Sequence, residues 1–140
     1  LPPSAQNTSP HAPYRHIPEK VEQAHIVQLL RSIGGAVYVL GTIRRRGDYP
    51  GTMQSPGLPD LIAFVPLART FRPQHACVFI ECKAAGGRLR AEQVQFREFC
   101  QTACVPHIVG DLDAVIAWLI QRGLVKAEQF PHYRQPQEQP

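Results

Sequence analysis

Two stretches of this chain predict its fold: residues 57–64 read GLPDLIAF, and residues 78–89 read VFIECKAAGGRL. Each contains a short apolar run of strand length, and the second run ends near a Gly-Gly pair that breaks a strand. Alternate side chains of a strand share a face, so Glu81 and Lys83 point the same way and Cys82 points the other way. The pattern therefore predicts two neighbouring strands with charged groups at their ends.

The charged groups at these strand ends favour a metal-dependent hydrolase. Asp60 precedes the first strand, and Glu81 ends the second with Lys83 two residues on. Mg²⁺ or Mn²⁺ prefers oxygen ligands, which Asp60, Glu81 and the backbone carbonyl of Cys82 can supply. Water on such an ion is more acidic than bulk water, and Lys83 can orient it or stabilise developing charge. This set is typical of phosphodiester hydrolysis.

Each of these residues also has a simpler interpretation. Glu81 and Lys83 are compatible with an exposed salt bridge at a strand end, which contributes little to stability. Asp60, directly after a proline, is compatible with a turn residue. The joint spacing of the Pro-Asp pair, the two apolar strands and the Glu-Cys-Lys triplet favours the metal site over these alternatives.

The other elements follow from apolar periodicity and from capping residues. A central mixed β-sheet flanked by helices, an α/β fold, is predicted in the order α-β-β-β-α-β-α. Pro18 suits the first turn of a helix, and Asp111 suits an N-cap. Helices are expected over residues 18–33, 91–103 and 112–122, and strands over 36–40, 61–65, 76–83 and 106–109.

The second helix carries an inward polar residue. Its inward positions are expected to be Phe96, Phe99, Cys100 and Ala103, and Gln93 falls on the same stripe as Phe96. A buried amide has to be hydrogen-bonded. Two interpretations stay open for Gln93: it bonds to nearby backbone at the sheet edge, or it points at the metal site and holds Lys83 or a phosphate.

Composition indicates one domain with two tails. A chain of 140 residues with 44% apolar content suits a single compact domain, expected over residues 18–126. The proline-bearing ends, 1–17 and 127–140, are predicted to be flexible. No apolar run of about 18 residues is present, so no membrane span is expected. Four cysteines without CxxC spacing are expected to be buried reduced thiols, which favours the cytoplasm.

Basic residues cluster around the proposed site. The chain has a net charge of +4, and residues 44–98 hold nine of its fifteen Lys and Arg side chains but only five acids. Such a distribution suits a phosphate backbone. Phosphate contacts are predicted for Arg44, Arg45, Arg46, Arg88 and Arg90, although a solvated basic turn is the alternative for residues 44–46.

The motifs resemble those of a known nuclease family. GLPDLIAF, FIECKAAGGRL and the following EQVQF look like the virus-type replication-repair nuclease (VRR-NUC) domain of the PD-(D/E)xK superfamily. The resemblance covers about residues 18–120. It implies a restriction-endonuclease-like fold, and it differs at Arg90, where relatives often carry a Ser or Thr helix cap.

The resemblance also implies residue roles. Asp60, Glu81 and Lys83 match the family's metal and catalytic positions, and Gln93 matches its helix glutamine. The family places another metal-binding and catalytic acid on the first helix, which implies Glu19, with Glu22 as the alternative.

The activity implied by the family is a structure-selective DNA endonuclease that needs Mg²⁺ or Mn²⁺. Branched DNA such as Holliday junctions or flaps is the expected partner, and a homodimer is the expected assembly. The expected setting is the cytoplasm of a bacterial or phage-infected cell, with nucleoid association open.

Two other functions remain open. One is a DNA-binding module that uses the same fold without cleaving, against which the intact set of acids and lysine argues. The other is a small metal-binding hydrolase of nucleotides, against which the lack of a Gly-rich phosphate loop argues.

Overall fold

The computed structural model describes residues 17–40, 55–67 and 74–135, and in them it shows an α/β fold. Its elements are α1 (Glu19–Ser32), β1 (Ala36–Val39), β2 (Leu61–Pro66), β3 (His75–Cys82), α2 (Ala91–Thr102), β4 (His107–Gly110), α3 (Leu112–Gln121) and a 3₁₀ turn (Ala127–Gln129). The predicted order is confirmed, and the predicted helix and strand bounds lie within one residue of these. The expected cap at Asp111 is also confirmed, since its side chain accepts a hydrogen bond from the Ala114 N–H at 3.1 Å.

The four strands form one open mixed sheet in the order β1-β2-β3-β4. β2 runs antiparallel to both β1 and β3, whereas β4 runs parallel to β3. The parallel pair needs a crossover connection, which α2 provides. β3 is a central strand, as its continuous apolar run predicts.

The core lies between one face of the sheet and helices α1 and α3. Ile26 and Leu30 of α1 and Leu119 of α3 are fully buried against Leu61 and Ile80 of the central strands. Burying each such side chain contributes about 1.5–3 kcal/mol. This packing fixes the sheet beneath the ends of β2 and β3.

Helix α2 covers only part of the opposite face. Phe96 packs edge-to-face on Phe79 of β3 and on His107 of β4, with ring centroids 5.1 and 5.6 Å away. The predictions that Phe99 and Ala103 face inward are wrong, because the Phe99 side chain is 65% exposed and Ala103 is exposed as well. Phe96 and Gln93 of α2 contact the sheet, and Phe99 lies beside this face of the helix.

The structure also tests the predictions for the chain ends and for the burial of the cysteines. Residues 1–16 and 136–140 lie outside the described residues, but Phe130, assigned to the C-terminal tail, packs against the core. Cys82 and Cys100 are buried as expected, whereas Cys77 is only half-buried and Cys104 is exposed. Among the helices described, none is long and apolar enough to cross a membrane.

Candidate metal and catalytic site

Strand register places Asp60 and Glu81 side by side. Leu61 pairs with Ile80, so one further step along each strand sets Asp60 opposite Glu81 on the same face. Directly opposed Cβ atoms in an antiparallel pair lie about 4.5–5.5 Å apart. The Leu40 N–H donates to the Asp60 carbonyl at 2.8 Å, which continues the β1–β2 pairing to this row. Both acids line a cleft of about 490 Å³, together with Lys83.

Asp60 is held by one of its two carboxylate oxygens. The Cys82 N–H donates to Asp60 Oδ2 at 2.7 Å. In the described parts of the chain no group donates to Oδ1, so that oxygen keeps its lone pairs for a ligand. The β2–β3 pairing ends at Leu61 and Ile80, so no N–H of β2 lies in register to bond the Cys82 carbonyl.

Glu81 is held in the same way, through a single oxygen. Its Oε1 accepts hydrogen bonds from Lys83 Nζ at 2.8 Å and from Gln93 Nε2 at 2.6 Å. The Glu81 side chain is only 3% exposed and that of Lys83 is 15% exposed. The pair is therefore not the exposed surface bridge that the sequence left open as an alternative.

Burial and neighbouring charges shift both members of this pair. Burial raises the pKa of the Glu81 carboxyl above its usual 4.5, and the charges of Asp60 and Glu19 add to that rise, while Lys83 opposes it. Burial alone favours the neutral amine of Lys83, but its bond to Glu81 and the surrounding carboxylates outweigh this and raise the Lys83 pKa above 10.5. Lys83 therefore stays a cation at neutral pH.

Gln93 bonds to nearby backbone, as one interpretation predicted, and it also points into the cleft, but there it holds Glu81 rather than Lys83. Its Nε2 donates to Glu81, and its Oε1 accepts from the Arg90 backbone N–H at 2.8 Å. Arg90 occupies the N-cap of α2 and makes no side-chain capping bond. Gln93 thus supplies the N3 half of a capping box by accepting from the N-cap N–H, and it fixes the orientation of Glu81 at the same time.

The two candidate acids of α1 have different surroundings. Glu19 lines the cleft, and its Oε1 lies 3.8 Å from Lys83 Nζ. Glu22 is buried on the inward face, where its Oε2 accepts from the Leu112 N–H at the start of α3. The geometry therefore favours Glu19 as the α1 acid of the cleft and gives Glu22 a structural role.

The predicted phosphate-contacting arginines are distributed unevenly. Arg90 lines the cleft, whereas Arg88 is exposed and is not among the lining residues. The predictions for residues 44–46 lie outside the described residues. Sequence reasoning missed Glu92, which also lines the cleft; its only sequence signal is its place one residue before Gln93.

Gly57 allows the segment before Asp60 to pack closely against the first turn of α2. Gly57 has φ +87°, and a Cβ built there would collide with the carbonyl oxygen of Glu92. The close approach of these two backbones needs glycine, because it alone has no side chain and adopts positive φ at little cost. It ties the Asp60 strand end to the first turn of α2, which carries Gln93.

Gly57→Ala is expected to lower the free energy of unfolding by about 3 kcal/mol, since positive φ and a steric clash each cost about 1–2 kcal/mol. Gly86→Ala is the matched control, because Gly86 has φ +79° but no atom within 4 Å of its built Cβ. The control should lose about 1 kcal/mol. Urea unfolding of both variants measures the difference. Equal losses of unfolding free energy would mean that the close contact of Gly57 with Glu92 does not contribute to stability.

The cleft suits a hard divalent cation with few protein ligands. Within residues 17–40, 55–67 and 74–135, no group of three or more His, Cys, Asp or Glu side chains is arranged to hold a metal. Beside Lys83, the described residues leave Asp60 Oδ1, Glu81 Oε2 and the Cys82 carbonyl without a hydrogen bond, and the Glu19 and Glu92 carboxylates line the same cleft. Mg²⁺ commonly takes one or two carboxylates and keeps several waters, and its ligands are oriented by further hydrogen bonds. The residues present therefore fit such an ion.

Comparison with known proteins gives no relative: no family model, curated protein or solved structure matches this chain. The resemblance to the VRR-NUC domain therefore stays a prediction that depends on the motifs quoted above.

Proposed function

We propose that this protein is a divalent-metal-dependent DNA endonuclease with a restriction-endonuclease-like fold. The observation that carries the proposal is that Asp60 and Glu81, at the adjoining ends of β2 and β3, line one cleft in which Lys83 is bonded to Glu81. Two acids on one row of a sheet, each bonded through one oxygen, are a costly arrangement unless a cation or a reaction uses them.

Each residue has a distinct role in the proposed reaction. Asp60, Glu81 and the Cys82 carbonyl would hold Mg²⁺ or Mn²⁺, with Glu19 at the rim. The ion would supply a more acidic bound water and charge stabilisation at the phosphate. Lys83, held as a cation, stabilises the negative charge that builds up on the attacked phosphate. Gln93 keeps Glu81 in one orientation by its hydrogen bond.

The choice of substrate depends on the resemblance rather than on the geometry. Small stand-alone members of the resembled family are similar to Holliday-junction resolvases, which favours branched DNA and a homodimer. Two active sites related by a twofold axis suit the cutting of two strands of a four-way junction. A cytoplasmic location belongs to the same prediction.

A panel of four-way, flap, splayed and plain duplex DNAs, with Mn²⁺ or with EDTA, tests the proposal. We expect cutting only with Mn²⁺ and faster cutting of the branched DNAs, while light scattering measures the mass of the assembly. Binding of DNA without cutting would favour the non-cleaving module instead. Hydrolysis of free nucleotides but not of DNA would favour the nucleotide hydrolase.

A further inference from the structure

Acids outnumber cations along the cleft. Its charged lining, among the residues described, consists of Glu19, Asp60, Glu81 and Glu92 against Lys83 and Arg90. The Lys83 cation is already bonded to Glu81 and lies near Glu19. The metal-free cleft is therefore short of positive charge at the place where the proposed function needs a phosphate to bind.

Glu92 differs from the other carboxylates of the cleft. Asp60 and Glu81 each accept a hydrogen bond, and Glu19 lies near Lys83. In the part of the chain that the structure describes, no group bonds to the Glu92 carboxylate. Its backbone is nevertheless held in place, because Gly57 packs directly against the Glu92 carbonyl. Glu92 is thus an exposed, unpaired carboxylate of the cleft wall whose backbone is held in place.

Its position also opposes phosphate binding by α2. The N-terminus of a helix carries partial positive charge and readily accepts a phosphate. Glu92 lies in the first turn of α2, next to Gln93. A carboxylate there offsets the positive end of the helix and repels a phosphate approaching Arg90.

We propose that Glu92 keeps DNA phosphates out of the metal-free cleft, so that a divalent cation is needed for the substrate to bind and not only for it to be cut. This inference rests on the proposed function. A bound dication balances the excess of carboxylates, whereas without it a phosphate meets more negative than positive charge. The order of binding is then cation first and DNA second.

Fluorescence anisotropy of labelled splayed DNA, in EDTA and in Ca²⁺, tests this order. Ca²⁺ takes the same oxygen ligands, and a gel checks that the DNA stays intact. We expect the wild-type protein to bind about tenfold more tightly in Ca²⁺, because each nearby unit charge changes affinity by about threefold or more. Glu92→Gln should tighten binding in EDTA by about threefold and change it less in Ca²⁺.

Glu98→Gln is the matched control, since Glu98 lies exposed on the same helix but does not line the cleft. It removes the same charge and should leave the ratio between Ca²⁺ and EDTA unchanged. Calorimetric titration of Ca²⁺ without DNA should give Glu92→Gln the wild-type stoichiometry and an affinity weaker by about threefold to tenfold, since the lost charge also attracted the dication.

Three results would overturn the inference. One is equal wild-type binding of DNA in EDTA and in Ca²⁺, which leaves the proposed nuclease intact. Another is a loss of Ca²⁺ binding in Glu92→Gln, which would make Glu92 a metal ligand. The last is a wild-type protein that binds no DNA in either condition, and this result alone would also remove the proposed function.

Discussion

Lys83→Ala is expected to slow DNA cleavage by about 10²–10³-fold, the effect of removing one group that stabilises transition-state charge. Lys83 is the cation bonded to Glu81 inside the cleft, and its raised pKa keeps it charged. The variant should still fold, because Gln93 retains its hydrogen bond to Glu81. Loss of the ion pair should cost about 1–3 kcal/mol of unfolding free energy.

Single-turnover cleavage of a branched DNA with Mn²⁺ measures this effect, with circular dichroism and anisotropy as checks of fold and DNA binding. Lys126→Ala is the control, since Lys126 is exposed and does not line the cleft. Its rate should stay within about twofold of wild type, because screened surface charges have small effects. Undiminished cutting by Lys83→Ala would remove Lys83 from the mechanism.

Glu81→Gln is expected to abolish cleavage and to lower the free energy of unfolding by about 1–3 kcal/mol, since removing one partner of a buried ion pair leaves Lys83 without its nearest counter-charge. The amide keeps the size of the side chain and an oxygen for the Gln93 bond, but it is a far weaker ligand for Mg²⁺. Burial of the Glu81 charge disfavours the folded state, and its removal offsets only part of the lost bond to Lys83.

The pH dependence of stability provides a second measurement on this variant. A carboxyl whose pKa is raised by folding binds its proton more tightly in the folded state, so protonation of Glu81 favours folding. As the pH falls from 7 toward 4.5, the unfolding free energy of wild type should therefore rise relative to that of Glu81→Gln. A relative fall would mean that the Glu81 carboxylate stabilises the fold.

Local pattern was enough to predict the elements and part of the site. Strand alternation alone places Glu81 and Lys83 on one face, and the breaks at Pro18, Gly86 and Asp111 mark element ends. Burial of a helix residue was harder to predict. Phe99 and Phe96 are three residues apart, but α2 covers only one side of the sheet face, so Phe99 stays exposed.

Contacts between segments far apart in the chain could not be predicted from local sequence pattern. That Asp60 lies opposite Glu81 depends on the register of β2 against β3, which one sequence does not specify. The choice between Glu19 and Glu22 depends on where α3 begins, since Glu22 bonds to the Leu112 N–H. Sequence reasoning missed Glu92 because only the folded chain brings its backbone against Gly57 and its side chain to the wall of the cleft.

Binding of Mn²⁺ tests the central claim most directly, by isothermal titration of the wild-type protein, Asp60→Asn and Asp113→Asn. Asp113 lies in the first turn of α3 and does not line the cleft. We predict one ion per chain for wild type and for Asp113→Asn, and affinity weakened by about tenfold or more in Asp60→Asn, a loss of about 1.4 kcal/mol or more for a missing charged ligand. A wild-type protein that binds no ion, or an Asp60→Asn variant that binds it as tightly, would contradict the account.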